Sequence, residues 1–258
     1  KYNSIVPRLI QCLKLYPSIC DNQEIIEWKT FSSNGKILES HTDALGHRIQ
    51  NIFINNFLGQ LKITSKGILK TKDLSGLVKG LKEKVNPLCF LRETDLTRPC
   101  KNVEKISEIA KTNNKNQVEF AHKLNLIVSN SINYASGSTT TSTSSNDALR
   151  QKKGVCQDFA HILISAARFN QLPARYVNGF LFEETVSGEN TTHAWVEIFI
   201  NNIGWVAFDP SHKKCIDDKY IRISTGFDFE DASVIKGVKN NYNGDEYLNT
   251  KVDIENCQ

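Results

Sequence analysis

The sequence predicts an α+β protein. A β-rich N-terminal domain, residues 1–95, is expected to precede a domain of helices packed on an antiparallel sheet, residues 96–258. Before about residue 90, segments rich in β-branched and aromatic residues are typical of strands. After it, two segments have apolar residues at helical spacing and two later ones resemble a hairpin. Asn86-Pro87 and Arg98-Pro99 mark the crossing between the two domains.

The first domain contains three predicted strands, Glu24–Thr30, His47–Asn55 and Gln60–Ser65. Ser33-Asn34-Gly35 carries the Asn-Gly pair that favours a hairpin turn. Asp43-Ala44-Leu45-Gly46 has the composition of a second turn. We therefore expect a small β-sandwich.

Helical spacing begins after the crossing. Val118, Ala121, Leu124, Val128 and Ile132 predict one helix, which should pack beside a second helix that runs from Cys156 to about residue 169. The second helix should end near residue 170, because an Asn and then a Leu-Pro pair follow.

Between these helices, residues 136–145 are Ser or Thr at every position except Gly137. Such a run has little apolar surface to offset the entropy of ordering. It predicts a surface loop that ends in a cap for a short helix from Asp147. The alternative interpretation is a mobile flap near a functional site.

Cys156 lies in the predicted first turn of the second helix. Free amide N–H groups and the positive end of the helix dipole favour a thiolate there. No Ser, Thr, Asn or Asp stands before Cys156 as a cap, so the first-turn donors are open to a substrate oxyanion. Asp158 offers an alternative, because its carboxylate could reach back and cap them.

His193 and Asp209 lie on two later predicted strands. If residues 201–203 form a three-residue loop, Ile200 pairs with Gly204 and Asp209 lies opposite Trp195. His193 is then the diagonal neighbour of Asp209 on the same sheet face, about 7–8 Å away. A loop of two or four residues would put the two side chains on opposite faces, so the hypothesis requires an odd loop.

A thiol nucleophile needs a base, and the base needs a third group to hold its ring. Cys156, His193 and Asp209 supply these groups in that order. Four segments carry a resemblance to a known family: GVCQDFAH from residue 154, PARYVNG from 173, HAWVE from 193 and GWVAFDP from 204. The sequence over roughly residues 100–230 resembles the bacterial transglutaminase-like superfamily, and the region before it is similar to the β-rich domain that often precedes this core.

The resemblance implies a papain-like transglutaminase core with Cys156 as nucleophile, His193 as base and Asp209 as orienting carboxylate. It also implies an aromatic oxyanion contact upstream of the cysteine, for which Tyr134 is the nearest candidate. We place Gln157 and Trp195 with it as oxyanion or substrate contacts. The expected activity is thiol-dependent hydrolysis of peptide or amide bonds in a peptide, protein or amide substrate. Transglutaminase-type transfer from Gln to an amine and a non-catalytic binding role are the alternatives.

Other interpretations apply to neighbouring residues. His161 is five residues from Cys156 and should point elsewhere on the helix, in a structural role. His212 is a rival base because it is close to Asp209, although it follows Pro210 in an expected loop. Arg175 is most simply a half-exposed strand residue.

The composition excludes several further classes. The cysteines, at positions 12, 20, 89, 100, 156, 215 and 257, form no C-x-x-C pair, so we expect no metal centre and no cofactor. Their odd, scattered count favours a reducing cytoplasm, with a signal peptide already removed as the alternative. The net charge of +4 comes from 32 basic and 28 acidic residues spread along the chain, which argues against nucleic-acid binding. The longest apolar stretch is too short to span a membrane. Oligomeric state is left open.

Overall fold

A computed structural model describes residues 1–111, 116–183 and 192–256. In chain order the strands and helices of these residues are β1 (Tyr2–Leu13), β2 (Gln23–Ser32), β3 (Lys36–Ile37), β4 (His41–Thr42), β5 (Arg48–Gly59), β6 (Ile63–Thr71), β7 (Leu77–Val78), a 3-10 helix (Pro87–Leu91), α1 (Lys101–Lys111), α2 (Gln117–Ser129), β8 (Asn133–Tyr134), α3 (Ser145–Gln151), β9 (Lys153–Gly154), α4 (Cys156–Phe169), β10 (Ala174–Leu181), β11 (Thr192–Ile200), β12 (Gly204–Asp209), β13 (Lys214–Cys215), β14 (Tyr220–Gly226) and β15 (Ile235–Asn240).

The N-terminal region is built around β1, which lies between β5 and β15 in an antiparallel sheet that β3 and β4 extend. Val6, Leu9, Leu13 and Ile52 are fully buried and form its core. β2 and β6 form a separate antiparallel pair, and Ile63 of β6 packs against the same core. The N-terminal region is rich in strands, as predicted, and its extent as a domain stays a prediction.

Two local expectations differ from the structure. Gly35 has the positive φ of a turn residue, but the strands on either side do not pair. β2 pairs with β6 and β3 pairs with β5, so residues 33–35 form a corner between sheets rather than a hairpin. In addition, no strand was predicted over β1, although β1 is the strand between β15 and β5 in the sheet.

The end of the chain returns to the first sheet. β15 pairs with β1 from Arg8↔Asn240 to Leu13↔Ile235, and Ile235 packs against the first core. Conversely, β7 lies before residue 95 in the sequence but pairs with β12 of the second sheet. The domain boundary between residues 95 and 96 stays a prediction. β15 and β7 each pair with a strand from the other side of that boundary.

The second sheet has the antiparallel order β13-β12-β11-β10-β14. β11 and β12 are joined by residues 201–203, and Ile200 pairs with Gly204. The predicted three-residue loop is therefore confirmed, and the register places Asp209 one position beyond the Val196↔Phe208 pair. This register decides which side chains share a face, because alternate residues of a strand point the same way.

The helices cover one face of the second sheet. Twelve of the fourteen residues of α4 are buried, and its Ile162, Leu163 and Ile164 are completely so. α1, α2 and α3 pack around α4, which itself packs on β10 and β11. Four helices together with antiparallel sheets confirm the predicted α+β class; α1 is an addition to that prediction.

Arg175 differs from its expected half-exposed position. It is fully buried on β10, and its guanidinium forms ion pairs with Glu197 at 2.6 Å and with Glu83. Its guanidinium carbon also lies 3.8 Å from the centroid of the Trp205 ring. Strand periodicity indicated a face for Arg175 but gave no sign of the buried carboxylates that hold its charge.

None of the helices in the described part of the chain is long and apolar enough to cross a membrane. Six cysteines in the described part of the chain have free thiols. Cys257 lies outside the described residues.

Candidate active site

Cys156 is the first residue of α4, after the extended residue Val155. Asp158 turns back toward this end of the helix, and its Oδ2 accepts a hydrogen bond from the Val155 N–H at 2.8 Å. Asp158 thus reaches back, but it accepts from Val155, which precedes the first helical turn, and not from the donors of that turn that the alternative named. The amide N–H groups of Cys156 and Gln157 occupy the helical positions that lack an intrahelical acceptor. They lie beside the thiol at the positive end of the helix dipole.

Gly154 allows the cap to form at close range. A Cβ on this residue would lie 2.6 Å from the Cβ of Asp158 and 2.8 Å from its Oδ2. Any larger residue would displace the carboxylate from the Val155 N–H. The glycine two positions before Cys156 therefore belongs to the geometry of the first turn.

Tyr134 is brought to the same place by a short parallel bridge, in which it pairs with Gly154. Its side chain remains largely exposed. Burial of its hydroxyl, followed by the charges of Cys156 and Glu183, raises the pKa of Tyr134. The structure thus brings the predicted aromatic residue into electrostatic range of the thiol.

His193 and Asp209 meet on one face of the second sheet. The Nε2 of His193 lies 2.7 Å from the Oδ2 of Asp209, and both side chains are buried. The odd loop between β11 and β12 produces this pairing. The Cys156 thiol acts on the same ring and favours its charged form. Since Nε2 faces the carboxylate, Nδ1 is the ring nitrogen left for another partner.

This arrangement changes the basicity of His193. Burial alone would lower the pKa of its imidazole, because it penalises the cation. Hydrogen bonds with Asp209 and Cys156 oppose burial, and together with the charges of those two groups they raise the pKa of His193 to about 10. The site therefore stabilises an imidazolium between two acidic groups.

Asp209 accepts hydrogen bonds on both oxygens. Its Oδ1 accepts from the Ser211 hydroxyl at 2.6 Å, and its Oδ2 lies 2.8 Å from the Tyr220 hydroxyl. His212 Nδ1 reaches the same Oδ2 at 2.9 Å. Burial alone would raise the pKa of Asp209, but the hydrogen bonds from His193 and His212 hold it far below its ordinary value. The carboxylate thus remains anionic, as an orienting group requires.

Trp195 is a buried residue that packs against the His193 ring. The sequence placed it among the oxyanion or substrate contacts, but its side chain is fully buried in the second sheet's core. The Trp195 ring stacks on His193 with centroids 6.3 Å apart and packs edge-on against Tyr220. Gly179 pairs with His193 in register, and a Cβ there would lie 2.5 Å from the Trp195 ring. Trp195 therefore packs under the base, away from any substrate surface.

Gln157 faces the Ser/Thr-rich loop. Its side-chain amide lies 3.5 Å from the Thr140 carbonyl and 3.4 Å from that of Thr141. Thr139 donates a 2.7 Å hydrogen bond to Asp158. The loop is thus attached to the first turn of α4, and its last residue Ser144 caps α3, as expected. The helix itself starts at residue 145, two positions before the predicted start.

His161 does not take part in the site. It is completely buried on α4, and its Nε2 accepts the backbone N–H of Phe229 at 3.2 Å. Burial lowers the pKa of His161 to about 4. It is a neutral core histidine, which agrees with its predicted structural role.

The donor atoms of His193, Asp209 and His212 lie within 4.8 Å of one another, a spacing that could hold a metal ion. Both histidines, however, direct a nitrogen at the same Asp209 oxygen at hydrogen-bond distance. This geometry is that of a shared acceptor. The expectation of no metal centre and no cofactor stays a prediction.

A cavity of about 270 Å³ lies away from this group. Its walls come from the first sheet and its turns, including Tyr16, Ser40 and His47, and from Arg222 of β14. None of Cys156, His193 or Asp209 lines it. The thiol is instead reached at the partly exposed surface beside Tyr134.

Comparison with known proteins relates part of the chain to one family. Residues 104–210 match the model of the transglutaminase-like superfamily. The match covers less than half of the chain and shows what this part is similar to. The matched range contains Cys156, His193 and Asp209. A crystal structure of a candidate cysteine protease from Cytophaga hutchinsonii has a similar fold, with a TM-score of 0.70, 20% identity and coverage of 98% of this chain and 90% of that one.

The sequence relatives cover only part of the chain. An uncharacterized protein of Mycobacterium tuberculosis is 33% identical over 131 residues, which are 47% of this chain and 42% of that protein. An uncharacterized protein of Mycobacterium leprae is 37% identical over 112 residues, 42% of this chain and 39% of that protein. The chain thus matches less than half the length of these relatives. At 20% identity the Cytophaga hutchinsonii structure shows a shared fold, and the family model describes a transglutaminase-like region over residues 104–210.

Proposed function

We propose that the chain hydrolyses peptide or amide bonds through Cys156, His193 and Asp209. One observation carries the proposal: a buried His193 lies 2.7 Å from the Asp209 carboxylate, and the Cys156 thiol helps to raise the pKa of the same ring. Nucleophile, base and orienting group are therefore in the order that thiol catalysis needs. The helix N-terminus behind the sulfur adds positive potential.

The reaction begins with transfer of the Cys156 thiol proton to His193. The thiolate attacks the carbonyl carbon of the substrate and forms a tetrahedral intermediate. As the carbon–nitrogen bond breaks, the His193 imidazolium gives its proton to the leaving amine, and a thioester remains on Cys156. His193 then takes a proton from water, the hydroxide attacks the thioester, and the acid product leaves as the thiol is restored.

The negative oxygen of the intermediate needs hydrogen-bond donors. The N–H of Cys156 in the first helical turn is one donor, and it is rigidly placed because Asp158 fixes the turn. Tyr134 is the candidate for a second, since its hydroxyl lies in electrostatic range of Cys156 and on the open side of the site. Gln157 directs its amide to the neighbouring loop in this structure and is the weaker candidate.

The fate of the thioester separates hydrolysis from transfer to an amine. A transferase must keep water from the thioester, because water is in large excess over any amine. Cys156 is partly exposed and Tyr134 beside it is 63% exposed. This open surrounding favours water as the acceptor, so we choose hydrolysis over transamidation.

The test combines a peptide library with a labelled primary amine and follows both free acid and amine incorporation. We expect release of free acid by the wild-type protein and its loss in Cys156→Ala. Cys89→Ser, which changes an exposed cysteine elsewhere, is the matched control and should keep full activity. Amine incorporation that greatly exceeds acid release would overturn hydrolysis in favour of transfer.

Thiol labelling tests the site without a substrate. Reactivity toward iodoacetamide follows the thiolate fraction, so Cys156 should label faster than the other cysteines at mildly acidic pH. His193→Ala should slow this labelling. Equal labelling of all cysteines, with no product from the library, would favour a non-catalytic binding role instead.

A further inference from the structure

One oxygen of Asp209 accepts three hydrogen bonds. Besides His193 at 2.7 Å, the Tyr220 hydroxyl at 2.8 Å and His212 Nδ1 at 2.9 Å reach the same Oδ2. Two imidazoles thus share a single carboxylate oxygen. Their ring centroids are 5.2 Å apart and the ring planes meet at 66°.

The position of His212 is fixed from two sides. Its backbone N–H also donates to Asp209, at 3.2 Å, and its Nε2 lies 3.4 Å from a carboxylate oxygen of Glu183. The side chain is 38% exposed, whereas that of Asp209 is completely buried. His212 is therefore the member of the group that exchanges protons most readily with solvent.

Within the part of the chain that the structure describes, the titratable groups that face His212 are His193, Asp209, Tyr220 and Glu183. The neighbouring Lys214 directs its ammonium to Asp217 at 2.7 Å. Two anions and one cationic ring thus set the charge state of His212. The hydrogen bond to Asp209 raises the pKa of His212, against a smaller lowering by burial.

We propose that His212 is a positioning residue that shares the Asp209 carboxylate with His193 and, when protonated, weakens the hold of that carboxylate on the His193 proton. The proposal deepens the function proposed above and rests on it for its catalytic meaning. A less tightly held proton is easier for His193 to return to the leaving amine, which is the step that needs a general acid.

The size of the effect follows from the spacing of the two rings. Unit charges 5.2 Å apart interact enough to shift a proton equilibrium by roughly 0.6 pH units in bulk water and about 2 units at an effective dielectric constant near 20. Partial exposure of His212 places the coupling toward the lower end of this range. We expect a shift of about one pH unit.

The experiment is histidine-selective NMR of the full chain across pH, which reports the protonation midpoint of each ring without requiring activity. His193→Gln keeps an amide donor for Asp209 and removes the positive charge that His193 carries up to about pH 10. It should raise the midpoint of His212 by about one pH unit. Tyr220→Phe removes a neutral donor from the same oxygen and is the matched control, for which the shift should be distinctly smaller.

Coupling between two sites is reciprocal in free energy, so the same shift measures how far a charged His212 weakens the hold on the His193 proton. A His212 midpoint that stays within about 0.2 units or falls in His193→Gln would overturn the proposal. If the His212 midpoint shifts but Cys156 of the wild-type protein neither labels selectively nor forms product, the coupling stands and the proposed hydrolysis fails.

Discussion

Glu197 lies at the centre of a buried ion-pair network on the sheet that carries His193. Its carboxylate is fully buried and accepts from Arg175 at 2.6 Å and from Arg222 at 2.7 and 3.2 Å. Arg222 also reaches Ser18 of the N-terminal region, at 2.6 Å. The substitution Glu197→Gln keeps the volume of the side chain but leaves the guanidinium of Arg222 without its anion.

The magnitude of the loss follows from the charge on Glu197. Burial alone would raise its pKa, but Arg222 and Arg175 lower the pKa of Glu197 from 4.5 to about 2. This difference corresponds to about 3 kcal/mol of folding free energy at neutral pH. Removal of one partner of a buried pair costs about 3–5 kcal/mol in general, which agrees. For a chain of this size, we expect the midpoint of thermal unfolding to fall by roughly 10 °C.

Thermal unfolding followed by circular dichroism measures this loss, with Glu27→Gln as control. Glu27 pairs with Lys29 on the surface, so its substitution should change the midpoint by less than about 2 °C. A group with a lowered pKa stabilises the fold above its unfolded value and loses this effect as pH falls through its folded value. The difference between wild type and Glu197→Gln should therefore narrow from pH 4.5 toward pH 2. A Glu197→Gln midpoint no lower than that of Glu27→Gln would refute the reasoning.

Two further predictions concern the site. Asp209→Asn should slow alkylation of Cys156 by iodoacetamide near pH 6 about tenfold or more. A nearby opposite charge shifts a pKa by about 1–3 units, and His193 loses that charge in this variant. An unchanged rate would show that Asp209 does not support the base. Gly154→Ala should lower stability and slow the same alkylation, because its Cβ would lie 2.8 Å from the Asp158 oxygen that caps the helix. Unfolding and labelling measured together test this, and an alanine variant equal to wild type in both would contradict the tight fit.

Much of the site could be predicted from the sequence, because it depends on residue spacing within one helix and on the length of one loop. The apolar spacing after Cys156 placed the thiol in the first turn of a helix. The hairpin of β11 and β12 needed only the length of one loop to put His193 and Asp209 on the same face, and the Ile200↔Gly204 pair confirms that length. Periodicity and short loops are local properties, so one chain suffices to derive them.

The partners that cross the fold could not be derived in this way. Arg175 meets a carboxylate 92 residues earlier in the chain, and Arg222 meets a hydroxyl 204 residues earlier. Alternation along a strand predicts which face a side chain occupies, but it contains no information on which distant segment covers that face. A charged residue therefore looked half-exposed in the sequence, although in the structure buried opposite charges stabilise it.

The same reasoning explains why the sequence suggested His212 as an alternative base to His193. It did not show that both histidines reach the same Asp209 carboxylate. Its distance of three residues from Asp209 indicated contact, yet the contact with His193 depends on the register of β11 against β12. Glu197 lies on the same strand face as His193 and Trp195, four and two positions further along β11, respectively. The buried ion pairs that hold Glu197 on β11 thus also help to hold His193, the ring against which Trp195 packs. A loss of the Glu197 network should therefore affect the alignment of the site as well as the stability of the fold.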